Sequence, residues 1–370
     1  MGRKRIKHGK VRLTEVAELA GVSPITVSRF FRNPQTVSPR RRVRIESAAK
    51  ELGYVPNLAA RALASQRTEV IGALIPSLTN NVFSDVLRGI YDAFEGSRYS
   101  IQIANTRYSV LQEERLLRLF LMQKPAGLIV TGIDQTADSR SIIEAANCPV
   151  VQIMELGSEP IDMMIGFSHV DACYAAISHL LDQGCRRIGF VGARMDPRVQ
   201  RRLQGYQKAM KDAALLDPRL IVTTTAPTSV TLGGSLFSDL IARAPEIDAV
   251  FCANDDLAMG VMFECQRRHI AIPDQMAIVG FNDMEFMAAA VPTLSSVRTN
   301  RYEMGNRAAT MIVDAIEGRA PDPRVVDLGF EVMQRQSSTL HARPTICSPA
   351  QTGATEQNGS AIKYPGLEQT

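Results

Sequence analysis

An α/β body of parallel sheets carrying a small all-helical head is the fold class that the sequence predicts, and three observations predict it. Seven apolar runs of strand length alternate with helical patterns between residues 69 and 340. Three short helical patterns with caps and glycine stops fill residues 11–56. Charge divides along the same line: residues 1–68 carry 15 Lys and Arg against 4 Asp and Glu, a net of +11, and the remainder carries 27 against 34, a net of −7. A compact cationic module on a mildly acidic body suits a protein that meets a polyanion with one end only. At 370 residues, of which 45% are hydrophobic, two or three folding units are expected. No stretch approaches the ~18 apolar residues of a membrane span, and the basic start, MGRKRIKHGK, leads into no apolar signal segment. A cytoplasmic protein with no membrane partner is therefore expected. Six cysteines (148, 173, 185, 252, 265 and 347) without paired spacing suggest reduced, buried thiols, with no metal site and no cofactor.

In chain order, residues 1–10 form a basic arm, and Leu13, Val16, Ala17, Leu19 and Ala20 recur at helical spacing. Thr14 is placed to start that helix and Gly21 to stop it. Ser23 caps a second helix whose first residue is Pro24, running to about Phe31. Helix, glycine turn and helix form a helix-turn-helix in which Val27 and Phe30 point inward, while Ile25, Thr26, Ser28 and Arg29 are free to face a major groove. A third helix begins at Ser38 and Pro39, carries the stripe Val43, Ile45, Ala48, Ala49 and Leu52, and ends at Gly53. Arg40, Arg41, Arg42 and Arg44 are expected to face phosphates.

The stretch VRLTEVAELAGVSPITVSRFFRNPQTVSPRRRVRIESAAKELGYVPNLAARALAS resembles the head of the lactose-repressor (LacI/GalR) family nearly end to end. The resemblance implies a DNA-binding domain over residues 11–56, with Pro24, Ile25 and Arg29 at base edges and Ser23, Thr26, Ser28 and Asn33 nearer the backbone. It also implies a hinge helix and linker over 57–68, whose Leu63 wedges into the minor groove. Thr14, Asn57 and Ala60 are counted with these as DNA contacts. Without the resemblance, PNLAARALA reads equally as a solvated linker.

The strand runs of the body are VIGALI (70–75), SIQIAN (100–105), GLIVT (127–131), VVQIM (150–154), RIGFVG (187–192), AVFCAN (249–254) and MAIVGF (276–281). Two Rossmann-like halves follow from their number, with ligands expected beyond the carboxyl ends of the strands. The family resemblance extends to about residue 340 and implies a two-lobed, periplasmic-binding-protein-like effector and dimerisation domain over 69–340. Lobe 1 is placed at about 69–169 plus 299–328 and lobe 2 at about 170–296 plus 329–340. Residues 341–370, rich in Pro, Ser, Thr, Gly and Gln, read as a disordered tail.

After the first strand, Ser77, Asn80 and Asn81 can hydrogen-bond a hydroxylated ligand and Phe83 can offer an apolar face, although Ser77 and Thr79 serve equally as helix caps. The family places a ligand-binding asparagine at Asn254 and an aspartate where this chain has Asn282. An amide there removes a negative charge from the cleft and favours an anionic ligand. The family also places a cleft arginine at Arg202, and Arg198, four residues earlier, shares its helix face. Together they can present two guanidinium forks to one carboxylate. The other reading of this face is a solvent-exposed basic surface, which Arg201 fits. Glu155 falls near a family acidic contact, or is a charge on a lobe surface. This stretch, with FCANDDLAMGVMFECQRR, resembles the gluconate-operon repressor branch. The resemblance implies a homodimeric regulator, a repressor that binds double-stranded operator DNA and responds to a sugar acid such as gluconate or ketogluconate. A neutral sugar or purine is the alternative effector. An enzyme with a DNA-binding head is disfavoured, since there is no GxSxG, GxxxxGK[ST] or HExxH pattern, and the five His lack partner spacing. His169 and His179 read as solvent-facing or lobe-packing.

Overall fold

The computed structural model describes residues 11–55, 68–319 and 322–339. The basic arm, the hinge with Asn57, Ala60 and Leu63, and the tail beyond residue 340 lie outside the described residues.

The head is built from α1 (Leu13–Ala20), α2 (Pro24–Arg32) and α3 (Pro39–Leu52). Val16, Ala17 and Ala20 pack against Val27, Phe30, Ile45, Ala48 and Ala49 in one small core. Gly21 and Gly53 end α1 and α3 in the left-handed region, at φ +60° and +64°, where a side chain is strained. Ser23 Oγ accepts from the Thr26 amide at 3.3 Å, and Pro24 follows as the first helical residue.

Four local expectations are corrected. Thr14 is not the start signal: it lies inside α1 and is exposed, and the free amide of Arg12 is taken by the Glu15 carboxylate at 2.9 Å. Leu19 is 48% exposed, because α1 buries only its Val16, Ala17 and Ala20 face. Val43 is 65% exposed, since at 100° per residue it sits about 200° from Ile45, on the opposite side of α3. Arg42 Nε donates to the Val37 carbonyl at 2.7 Å and ties the turn before α3, which leaves Arg40, Arg41 and Arg44 as the exposed basic face.

Two six-stranded sheets make the body. In the first, β1 (Val70–Ile75), β2 (Ser100–Asn105), β3 (Gly127–Thr131), β4 (Val150–Ile153), β5 (Met163–Gly166) and β11 (Val325–Asp327) stand in the order β11-β5-β4-β3-β1-β2, all parallel. In the second, β6 (Ile188–Gly192), β7 (Ile221–Thr223), β8 (Ala249–Cys252), β9 (Ala277–Asn282), β10 (Ser295–Thr299) and β12 (Phe330–Met333) stand in the order β12-β10-β9-β8-β6-β7. Only the β10–β12 pairing is antiparallel.

Helices α4 (Val82–Ala93), α5 (Val110–Met122), α6 (Ala137–Glu144) and α12 (Arg301–Ile316) cover the first sheet. Helices α7 (His169–Asp182), α8 (Pro197–Asp212), α9 (Val230–Arg243) and α10 (Asp255–Arg267) cover the second, and the short α11 (Glu285–Ala289) precedes β10. The chain passes between the sheets three times: after β5, after β10 and between β11 and β12. In each sheet the order reverses beside its first strand, so the carboxyl ends of both sheets open onto one crevice.

All seven expected strands form, and five more join them. β10 was hidden by its composition: Ser295 and Ser296 are fully buried because Ser337, Ser338, Arg335 and Asp255 satisfy their polar atoms. His179 belongs to the same cluster, its Nε2 lying 2.7 Å from Ser338 Oγ. It packs inside the lobe rather than facing solvent.

Candidate functional site

The crevice between the two sheets holds a narrow, partly open cavity of about 40 Å³. It is built from residues at or after the ends of β1, β2, β4, β6, β7, β8 and β9, together with the first turn of α4 and the first two turns of α8. Of the residues expected at a ligand, Asn80, Phe83, Arg198, Arg202, Asn254 and Asn282 line it. Ser77 and Glu155 do not. Ser77 Oγ instead accepts from the amides of Thr79 and Asn80 at 3.2 and 3.1 Å, the capping alternative.

Arg202 is the deepest charge in the cavity. It is 6% exposed, its Nε donates to His169 Nδ1 at 3.2 Å, one terminal nitrogen donates to the Ala253 carbonyl, and its guanidinium lies 3.7 Å over the Phe281 ring. Because Arg202 can only donate, His169 Nδ1 must accept and its Nε2 carries the proton given to the Met154 carbonyl at 3.1 Å. Burial, reinforced by the neighbouring arginines, holds His169 well below the usual histidine range. Among the described residues no carboxylate touches Arg202, and burial lowers its pKa to about 10. A buried cation without a contacting anion is a costly arrangement in a protein interior.

Arg198, one turn earlier on α8, is held loosely by Asp196, the residue that caps the helix. Asp196 Oδ1 accepts from the Arg198 amide at 3.1 Å and from its Nε at 3.4 Å. Burial pushes Asp196 up, but Arg198 and Arg202 outweigh it and hold the carboxyl below its ordinary value. The Arg198 guanidinium also stands 5.7 Å from the Phe83 ring and 6.0 Å from the Tyr108 ring. Arg194 also lies over the Tyr108 ring, at 4.0 Å. It is placed by two successive left-handed residues, Arg194 and Met195, at φ +65° and +51°. Three guanidinium groups and one carboxylate thus line the cavity wall, and only Arg198 contacts the carboxylate.

Tyr108, Arg194, Asp196 and Thr228 were not anticipated. The Asp196–Pro197 pair is an ordinary helix-start signal that was legible. Tyr108 is tied to the site by partners distant in sequence: the Asn80 amide, which donates to its hydroxyl at 3.1 Å across 28 residues, and the two arginines against its ring.

Arg201 is not an exposed helix-face charge. It reaches across the crevice to Asp134 at 2.5 and 2.9 Å and to Glu155 at 2.9 Å, joining α8 to the loops after β3 and β4. Glu155 is 1% exposed, and burial, only partly offset by Arg201, raises its pKa to about 7. The folded protein therefore holds a proton on Glu155 that the unfolded chain has released. The stability due to this group is full at low pH and is lost as pH rises towards 7. Relative to Glu155→Gln, the wild type is expected to lose at most about 3 kcal/mol between about pH 5 and about pH 8. Paired thermal melts across that range check this, and a pH-independent difference would refute it.

No group of three His, Cys, Asp or Glu among the described residues is arranged to hold a metal ion. Among the described residues, Cys148, Cys173, Cys185, Cys252 and Cys265 form no disulfide. No described helix is long and apolar enough to cross a membrane.

Comparison with known proteins places these features in a wider group. Residues 12–57 match the family model for bacterial regulatory proteins of the lacI family, and residues 177–338 match that for a periplasmic binding protein-like domain. The chain is 42% identical over 330 residues to the HTH-type transcriptional regulator GntR of Pseudomonas aeruginosa, covering 89% of this chain and 96% of the relative. It is 38% identical over 318 residues to the GntR regulator of Escherichia coli K12, covering 86% and 96%. The crystal structure of the transcription regulator GntR from Chromobacterium violaceum is similar at 39% identity and a TM-score of 0.71, covering 73% of this chain and 99% of that one.

Proposed function

Since the chain belongs to the lacI family of bacterial regulatory proteins, we propose that it is a dimeric repressor of sugar-acid catabolism genes whose operator affinity is set by a sugar acid bound between the lobes. The DNA-reading surface is the exposed face of α2. Ile25 is 66% exposed, and Pro24 and Arg29 are exposed beside it, so Arg29 supplies the hydrogen-bonding readout and Ile25 suits a thymine methyl. The hydroxyls of Ser23 and Thr26 bond each other at 2.9 Å and stand at the start of the helix, where backbone phosphates are met. Two heads are needed for a palindromic site, so the working unit is a homodimer.

The observation that carries the effector reading is the charge of the cleft. Arg194, Arg198 and Arg202 line it against Asp196 alone, and Arg202 is buried with no contacting carboxylate. An anion of the ligand supplies that missing partner. Groups from both sheets line the cavity, Phe83 and Tyr108 on one side and Arg198 and Arg202 on the other, so a bound acid draws the lobes together. The relatives' designations as transcriptional regulators agree with this reading.

Titration calorimetry of the full chain with gluconate, 5-ketogluconate, glucose and a purine base tests it. Binding is expected for the acids alone, and Arg198→Ala is expected to weaken it roughly tenfold to a hundredfold, the weight of one charge-assisted contact. Arg198 is the preferred variant because its protein contacts are long, so its loss reports on the ligand rather than on folding. Tight binding of a neutral sugar that is indifferent to Arg198 would remove the sugar-acid reading while leaving the family intact.

A further inference from the structure

Most polar atoms around the cavity are already committed within the protein. Asn80 Oδ1 accepts from the Val82 amide and its Nδ2 donates to Tyr108. Asn254 Oδ1 accepts from the Leu257 amide and its Nδ2 donates to Thr228 Oγ1. Asp255 is fully engaged by Ser296 Oγ and the Met284 amide. Two further acceptors are uncommitted. Asn282 is 3% exposed, and its buried Oδ1 has no hydrogen-bond partner. Asp256 has no hydrogen bond and no ion pair among the described residues, although it is half-buried and burial raises its pKa.

These two acceptors belong to a second, small compartment of about 20 Å³, which shares Asn80, Val82, Asn254 and Asn282 with the main cavity and adds Asn81, Asp255, Asp256 and Met284. The uncommitted groups of the combined cleft are therefore sorted by chemistry. Arginine donors stand at one end, and a carboxylate and an amide oxygen stand at the other. Donors ask for an acceptor such as a carboxylate, whereas bare acceptors ask for a group that donates, such as an alcohol. We propose that the compartment beside Asp256 is a hydroxyl-reading subsite, in which Asp256 and Asn282 accept hydrogen bonds from the polyol end of an effector whose carboxylate lies at the arginines. Asp256 is thus the residue that distinguishes a long polyhydroxy acid from a short one.

This rests on the sugar-acid reading above, and the experiment separates the two. The affinities of the full-length dimer for D-gluconate (six carbons) and D-erythronate (four carbons) are measured by calorimetry in wild type, Asp256→Ala and Asp256→Asn. Wild type is expected to prefer gluconate. Asp256→Ala is expected to lose about tenfold in gluconate affinity, the weight of a hydrogen bond to a charged group, with erythronate unchanged. Asp256→Asn, which retains an acceptor oxygen, is expected to recover part of the loss. A gluconate-to-erythronate ratio unchanged in Asp256→Ala overturns the subsite while leaving the acid effector in place. Failure of wild type to bind either acid overturns both.

Discussion

Arg202→Met is expected to abolish the response to sugar acid, lowering effector affinity at least about a hundredfold, while leaving the unfolding free energy within about 2 kcal/mol of wild type. The two halves of this expectation have one cause. Arg202 is buried without a carboxylate in contact, and its charge is met only by the Ala253 carbonyl, the His169 ring nitrogen and the Phe281 face. Replacing it with an apolar chain of similar length leaves two acceptors without donors, a loss of about 1–3 kcal/mol each at most. It also relieves the desolvation of a cation, an opposing contribution of similar size. An effector anion, by contrast, loses its deepest partner outright. Chemical denaturation and calorimetry on the same preparation check both halves. A variant that unfolds readily yet binds gluconate normally would make Arg202 a structural residue.

Gly205→Val is expected to destabilise the protein by about 3 kcal/mol or more, and to weaken effector binding in whatever fraction still folds. A Cβ at Gly205 would stand 2.2 Å from the Val170 carbonyl oxygen and about 3 Å from Cys173 Cβ and the Tyr174 amide. Backbone atoms cannot turn aside as the end of a side chain can, so α8 must retreat from α7. The gain in helix propensity over glycine, under ~1 kcal/mol, does not offset that. The consequence reaches the site because α7 begins at His169 and α8 carries Arg202, and their hydrogen bond spans this helix contact. Gly205 thus lies three residues beyond the arginine whose placement it permits. A urea midpoint equal to that of wild type would refute the argument.

What could be read from the chain alone was whatever a single element carries within itself. Ser23–Pro24, Gly21 and Gly53 mark helix ends through bonds and dihedrals confined to a few residues, and the head was legible for that reason. Six of the seven apolar runs formed strands buried on both faces, which composition reports directly, and the seventh, β2, is the half-exposed edge of its sheet. Arg198 and Arg202 could be paired because four residues of helix place them on one face.

Features that depend on partners from distant strands were decided only by the tertiary structure. Arg201 has the same local surroundings as its neighbours, yet the reversal of strand order brings Asp134 and Glu155 to it and makes it a bridge between lobes. β10 carries two serines that no pattern marks as core, and the chain's return at residues 335–338 supplies their partners. Tyr108 enters the site because β1 and β2 are neighbours with their carboxyl ends together. Local sequence determines which elements form and which face of each is apolar. The chemistry of the cleft arises where the ends of strands from two sheets converge, and those distances are set by packing across the whole chain.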